Sequence, residues 1–335
     1  MTAQSANVHP WVAQAREGPR FGLLLGGSPD WSVLRRIAQT AEAAGFDSLW
    51  IPDHPVLSPS SSWTTLAALA ECTRTVRLGT LVSCALFRHP VVLAGEVAEV
   101  DRISGGRVVL GLGSGDAPEE FRRMGLPCPP VAKRQEALEE VLQIVPQLLA
   151  GKTVSYSGKH FQLSEARLAL PAVQRPRVPV LIAGGGPRTT LRFVATYGDA
   201  CNIGAASWAG GGFTGEDARQ KLEVLDRRCA EVGRDARSIV RTSIVGPLFL
   251  AETEQAARAK LDKLPPWVIT GGQGLPGLEA LVFAGTPERA VTYVRELLDA
   301  GHQYLIYRAL ESDPETLELL SNDVMPAVLA ASAGV

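Results

Sequence analysis

The sequence has little that would tie a chain together covalently or through a metal. Its five cysteines, at 72, 84, 128, 201 and 229, form no close pair, and its five histidines include no His-x-x-x-His spacing. Neither a disulfide framework nor a sequence-local metal site is supported. An excess of one charge is missing too: 33 basic and 35 acidic residues leave a formal net charge of −2, and the basic residues are dispersed instead of striped. That excludes the electrostatic footprint of a nucleic-acid or membrane-surface protein. No run reaches the roughly 18 apolar residues of a membrane span, and Met1 to Pro19 lacks the basic-then-apolar pattern of a signal. The expected setting is a reducing cytoplasm, with residues 1–19 as a loose or surface-packed leader and residues 20–335 as one domain.

What is present is a rhythm. With 46% hydrophobic residues, the chain alternates apolar strands and amphipathic helices about eight times. Phe21 to Leu25 reads as a first strand, followed by a helix with apolar residues at Val33, Leu34, Ile37, Ala38, Ala41 and Ala44, closed by Gly45. Strands at Asp47–Ile51, Val76–Val82 and Arg107–Gly113 follow, each with its helix, so four units fill the first 150 residues. After a hairpin-like excursion over Thr153–Leu163, strands are expected at Val178–Ala183, Asp199–Ile203, Val240–Leu250 and His302–Tyr307. The last two are separated by two helices and a long loop from Leu264 to Ala284. Eight alternating units imply a parallel sheet closed into a barrel, the α/β TIM (β/α)8 barrel, with insertions.

A barrel of this kind carries its chemistry at the C-terminal strand ends. Here those ends are Gly26-Gly27, Asp53-His54, Ser83-Cys84, Ser114-Gly115-Asp116, Gly184 to Gly186, Gly204, Gly246 and Tyr307-Arg308. The most informative is Arg107-Val-Val-Leu-Gly-Leu-Gly-Ser-Gly-Asp116, a buried strand running into a glycine-rich turn that ends on a carboxylate. On its own it also fits a methyltransferase. That reading needs an acidic residue at the end of the next strand to hold a ribose, and Gly184-Gly185-Gly186 stands there instead. These three glycines precede a helix expected to start near Pro187, so free amides and the helix dipole would favour a phosphate, with Arg188 adding charge.

Five motifs in order carry a family likeness: Asp53-His54 after an apolar strand, Arg88-His89-Pro90 opening a helix, Asp101-Arg-Ile-Ser-Gly-Gly-Arg107, Gly111-Leu-Gly-Ser-Gly115, and Ala183-Gly-Gly-Gly-Pro187 with Gly198-Asp199 downstream. From Phe21 onward the chain resembles the bacterial luciferase-like superfamily of flavin or deazaflavin oxidoreductases. The resemblance implies a barrel that binds coenzyme F420 or FMN at the strand ends, a homodimer, and a non-proline cis peptide near Val82-Ser83-Cys84 backing the ring. Asp53-His54 looks most like the F420-dependent branch, in which the histidine lies beside ring and substrate. His54 is thus expected in proton transfer or charge stabilisation, with Asp53 beside it. Asp116 occupies the place of a proposed proton donor, one methylene shorter than the usual glutamate.

The implied cofactor contacts are Val82, Ser83, Cys84, Gly113, Ser114, Gly115, Ala183, Gly184, Gly185, Gly186 and Arg188. Cys84 is assigned no nucleophilic role, His89 orders the start of its helix, and His160 and His302 have no catalytic task. Residues 264–284 contain no Lys or Arg, which argues for a non-phosphorylated substrate under a lid whose Trp267 supplies a stacking surface. The expected activity is hydride transfer between F420 and an organic small molecule. The alternative is an FMN-dependent monooxygenase fed with reduced flavin by a separate reductase and using O2.

Overall fold

The computed structural model describes residues 8–26, 28, 30–203, 215–263, 282–309 and 313–332. Thirteen strands occur among them: β1 (Arg20–Leu25), β2 (Ser48–Ile51), β3 (Arg77–Thr80), β4 (Ser83–Cys84), β5 (Val108–Gly113), β6 (Val154–Ser157), β7 (Gln162–Ala166), β8 (Val180–Ala183), β9 (Ala200–Asn202), β10 (Val240–Val245), β11 (Leu248–Leu250), β12 (Phe283–Gly285) and β13 (Tyr304–Ala309). Eight of them form a parallel ring in the order β1-β2-β3-β5-β8-β9-β10-β13, closed by β13 against β1 and by β3 against β5. Strand β4 continues β3 after a short break and pairs with β5. The excursion is an antiparallel hairpin of β6 and β7 outside the barrel.

Residue parity explains how apolar strands build two cores. In β1, Phe21, Leu23 and Leu25 point outward to the helices, where they join the larger cluster. Leu24 points inward, with Trp50, Val109, Leu181, Ala200, Val240, Tyr304 and Ile306 from the other strands. Burial on both faces is why the strands read as near-continuous hydrophobic runs. The helices present one apolar stripe each to that outer face: Leu34, Ala38 and Ala41 are the buried positions of Trp31–Ala43. Caps set their starts, Asp30 accepting from the Ser32 amide at 2.8 Å and His89 from the Val91 amide at 3.3 Å. His89 therefore does the capping that its sequence context implies.

Three expectations are narrowed or corrected. Of the two forms expected for the leader, loose or surface-packed, its second half is packed: Pro10–Gln14 is a short helix whose Trp11 and Val12 are buried, and Trp11 meets Tyr304 edge-on at 5.8 Å. Apolar side chains close the barrel floor there, because an open barrel end would leave Trp50 and Tyr304 wet. Second, the run Val240–Leu250 is two strands. Gly246 takes φ +94° and Pro247 lacks an N–H, so the ladder ends and β11 leaves the barrel to pair with β12. Ala284, taken as the end of a loop, is thereby in a strand, while 264–281, including Trp267, lie outside the described residues. Third, the helix after the three glycines begins at Thr190, three residues beyond Pro187. Among the described residues no helix is long and apolar enough to cross a membrane.

Candidate active site

The glycine strand and the bulge beside it are one construction. After Thr80 the chain turns through a cis Leu81–Val82 bond and resumes pairing at Ser83 with Leu112 and Cys84 with Gly113. The cis bond thus lies one peptide before the stretch in which it was expected. Ser83 Oγ donates to Thr80 Oγ1 at 3.1 Å, which in turn donates to the Gly111 carbonyl at 3.0 Å. A Cβ on Gly111 would sit 1.9 Å from the Thr80 carbonyl oxygen, and one on Gly113 would sit 2.7 Å from Val82 Cγ2. Glycine is required because the bulge lies directly on β5. Gly111→Ala is expected to destabilise the fold by about 3 kcal/mol or more, since backbone must move to admit the methyl. An unchanged urea midpoint would show that the bulge yields freely.

Within this rim Ser83 is fully buried and spends its hydroxyl inside the bulge, so it offers backbone, not side chain, to a ligand. Cys84 is 5% exposed, and burial pushes its thiol up to about 12. That keeps it an inert wall.

His54 stands on the loop after β2, its side chain 35% exposed, with Nδ1 2.8 Å from Oε2 of Glu120. Glu120 is fully buried in the short helix Pro118–Arg123, and its Oε1 accepts the Val56 amide at 3.2 Å. A carboxylate only accepts, so the Nδ1 position carries the proton and Nε2 is left for a ligand. Burial penalises a charged imidazole, but the Glu120 hydrogen bond and the charges of Asp116, Glu120 and Asp53 outweigh it, and the His54 pKa is raised. Asp116 itself is exposed at the rim and contributes field.

Asp53 is not free to react. Its buried carboxylate accepts from Ser62 Oγ at 2.7 Å and from both terminal nitrogens of Arg88, at 2.5 and 3.0 Å. Arg88 also meets Glu96 at 2.9 Å. A catalytic role was expected of Asp53; its carboxylate is engaged by these donors, which hold its loop. Glu120 replaces it as the group next to His54. The sequence signal for Glu120 was weak: of Glu119 and Glu120, only the fold shows that the first pairs outward with Arg122 and Arg123 while the second turns in.

Across the mouth, Ala183 ends β8 and Gly184 takes φ +117°, its amide donating to the Asn202 carbonyl at 3.0 Å. The Gly185 carbonyl accepts from Lys221 Nζ at 3.4 Å, and Arg188 is exposed. Lys221 is a cation at this cradle that sequence reading did not place. Arg308, named from the sequence only as a strand end and given no role, faces inward near the end of β13, opposite Leu24 of β1. Its pKa is lowered by burial alone, and among the described residues its guanidinium has no hydrogen-bond or ion-pair partner. An apolar strand ending on an arginine of inward parity was the signal available.

These parts define an enzyme-type (β/α)8 barrel: a carboxylate-held histidine, a glycine-backed bulge and a glycine cradle with cations, all at the C-terminal mouth. The chain belongs to the luciferase-like monooxygenase family, whose model matches residues 11–330. It is 28% identical over 318 residues to an F420-dependent glucose-6-phosphate dehydrogenase of Amycolatopsis mediterranei, covering 88% of this chain and 93% of that one. It is 29% identical over 280 residues to a 5,10-methylenetetrahydromethanopterin reductase of Archaeoglobus fulgidus, covering 84% and 78%. A solved structure of the coenzyme F420-dependent tetrahydromethanopterin reductase from Methanopyrus kandleri superposes with a TM-score of 0.76 at 23% identity, covering 93% and 99%.

Proposed function

We propose that this protein is an oxidoreductase acting between coenzyme F420 and an organic substrate without a phosphate group. The observation that carries the reading is the His54–Glu120 pair, set at the mouth beside a bulge that three residues, Gly111, Gly113 and Thr80, are shaped to hold. The F420-dependent relatives support the choice of coenzyme. The site fits such a group. Glycines open a flat wall where any Cβ would intrude, the 184–186 cradle with Arg188 and Lys221 suits a phosphate, and Arg308 is a half-buried cation whose guanidinium has no anion beside it among the described residues. Val82, Ser83 and Cys84 would back the ring through the bulge, with Gly113, Ser114 and Gly115 along its edge and Ala183 to Gly186 at its phosphate end.

When bound, F420 supplies or accepts the hydride. The chain's own residues do the rest. His54 Nε2 exchanges the proton at the substrate's reacting polar atom, while Glu120 fixes the ring through Nδ1 and Arg88–Asp53 fixes the loop. Arg308 balances negative charge inside the mouth. The absence of Lys and Arg from residues 264–284 supports a substrate without phosphate, with Trp267 of that segment as its stacking surface. The same reading includes a homodimer in a cytoplasmic setting.

Because the folded pKa of His54 is raised, the stabilisation it gains from Glu120 is fully present below its unfolded pKa, near 6.5, and is lost as pH rises through the folded value. Glu120→Gln removes the main raising partner. The imidazole limb of the pH–kcat/KM profile is expected to move to lower pH in that variant, and a limb that stays in place would detach His54 from Glu120. For the coenzyme, titration of purified protein with F420 and with FMN should give clearly tighter binding of F420, weakened by Gly185→Asp, which brings negative charge to the cradle. Tighter binding of FMN would move the assignment to an O2-using monooxygenase served by a separate reductase. Unchanged affinity in Gly185→Asp would place the phosphate elsewhere.

A further inference from the structure

A cavity lies at the end of the barrel away from His54. It measures about 560 Å3 and lies between the N-terminal segment, the start of β3, the turn before β5 and the loop before β8, with His9, Arg77, Arg102, Gln174 and Arg175 in its wall. Among the described residues its lining includes three guanidinium groups and no carboxylate. Such a charge balance in a concave site is costly without a counter-ion.

The arginines are under-used by the protein. Arg77 has an inward parity in β3; its amide donates to the Asp47 carbonyl at 2.9 Å, but among the described residues its guanidinium has no hydrogen-bond or ion-pair partner, and burial holds its pKa down. Arg102 pairs with Glu99 through its terminal nitrogen, yet its buried Nε has no partner. Arg175 donates to the carbonyls of Ala172 and Gln174 through Nη1, at 3.0 and 2.9 Å, and is otherwise exposed. The acids behind the wall are engaged. Asp101 accepts from the Val173 and Gln174 amides and from Gln174 Nε2, at 2.8, 3.0 and 2.6 Å. Asp47 accepts from the Tyr304 hydroxyl and meets Arg20 at 3.6 Å, and Asp199 accepts from Arg177 and the Val180 amide. His9 accepts the Trp11 amide on Nδ1 at 3.1 Å. Burial and Arg77 lower its pKa to about 4, so it adds no charge at neutral pH. The first seven residues, Met-Thr-Ala-Gln-Ser-Ala-Asn, contain no acid side chain that could neutralise the site.

We infer that this floor cavity is a binding site for a small polyanion, a molecule with two or more phosphate or carboxylate groups, separate from the active site. Forked guanidinium donors match both kinds of oxyanion. A bound polyanion would cross-link the N-terminal segment, β3 and the loop before β8, and so would stabilise the fold in proportion to its concentration.

The test is calorimetric titration with inorganic pyrophosphate and with citrate, with and without saturating F420, on the unmodified protein and on Arg102→Gln and Arg175→Gln. Both substitutions lie near the surface, so the ligand-free Tm should change little. Expected are single-site binding that persists with F420 present, a rise in Tm with ligand, and affinity about tenfold weaker in each variant. Preference for pyrophosphate would assign the phosphate class, and preference for citrate the carboxylate class. The inference is overturned by absence of binding up to about 5 mM of either anion, by loss of binding when F420 is present, or by equal affinity in both variants.

Discussion

His54→Ala is expected to leave coenzyme affinity within about twofold while lowering kcat by about 10²- to 10⁴-fold, the range of a positioned acid–base group. The side chain reaches the mouth with only its Nδ1 committed, to Glu120, so removing it takes away the Nε2 proton site without dismantling the bulge or the glycine cradle. His54→Asn, which fills similar space, should not restore turnover. Retained activity in both variants would remove His54 from the mechanism, whereas loss of coenzyme binding would make it a pocket-building residue instead.

Arg88→Met is expected to be the most destabilising of the single changes at the site, costing about 3–5 kcal/mol, because it strands a buried carboxylate. Asp53 is 3% exposed and takes two of its donors from Arg88. Ser62 alone cannot replace them. Chemical denaturation checks the prediction, and Arg88→Lys should recover only part of the loss since it gives up the two-pronged geometry. Activity should fall with stability in the methionine variant, because the Asp53–His54 loop loses its anchor. A stable, active Arg88→Met would show that the Asp53–His54 loop does not depend on Arg88 for its anchor.

The barrel was legible because strands buried on both faces must be apolar throughout, whereas their helices need only one stripe. Phe21–Leu25 and the helix at 31–43 show this side by side. The division of Val240–Leu250 was not legible, since both halves are equally apolar and only Gly246 and Pro247 separate them. The floor helix was missed for a related reason: five residues at Pro10–Gln14 are too few to show periodicity, and Trp11 is buried by the barrel's geometry, not by its own helix.

At the site, residue type and position along the chain were enough to place His54, the 111–115 glycines and the 184–186 cradle at one end of the barrel, because strand ends of a parallel barrel converge by topology alone. Partnership was not. Asp53 and Glu120 lie 67 positions apart in sequence, and each is a carboxylate beside the same loop. Their roles diverge only because Arg88 comes over one and His54 over the other. The sequence by itself determined the barrel, and it placed His54 and the glycine turns at the C-terminal strand ends, since these follow from periodicity and chain order. Only the tertiary structure decided which acid serves that histidine, which arginines at the mouth and floor lack a counter-charge, and where the eighth-strand arginine points. Those depend on contacts between segments remote in sequence, and neither periodicity nor local spacing encodes a remote contact.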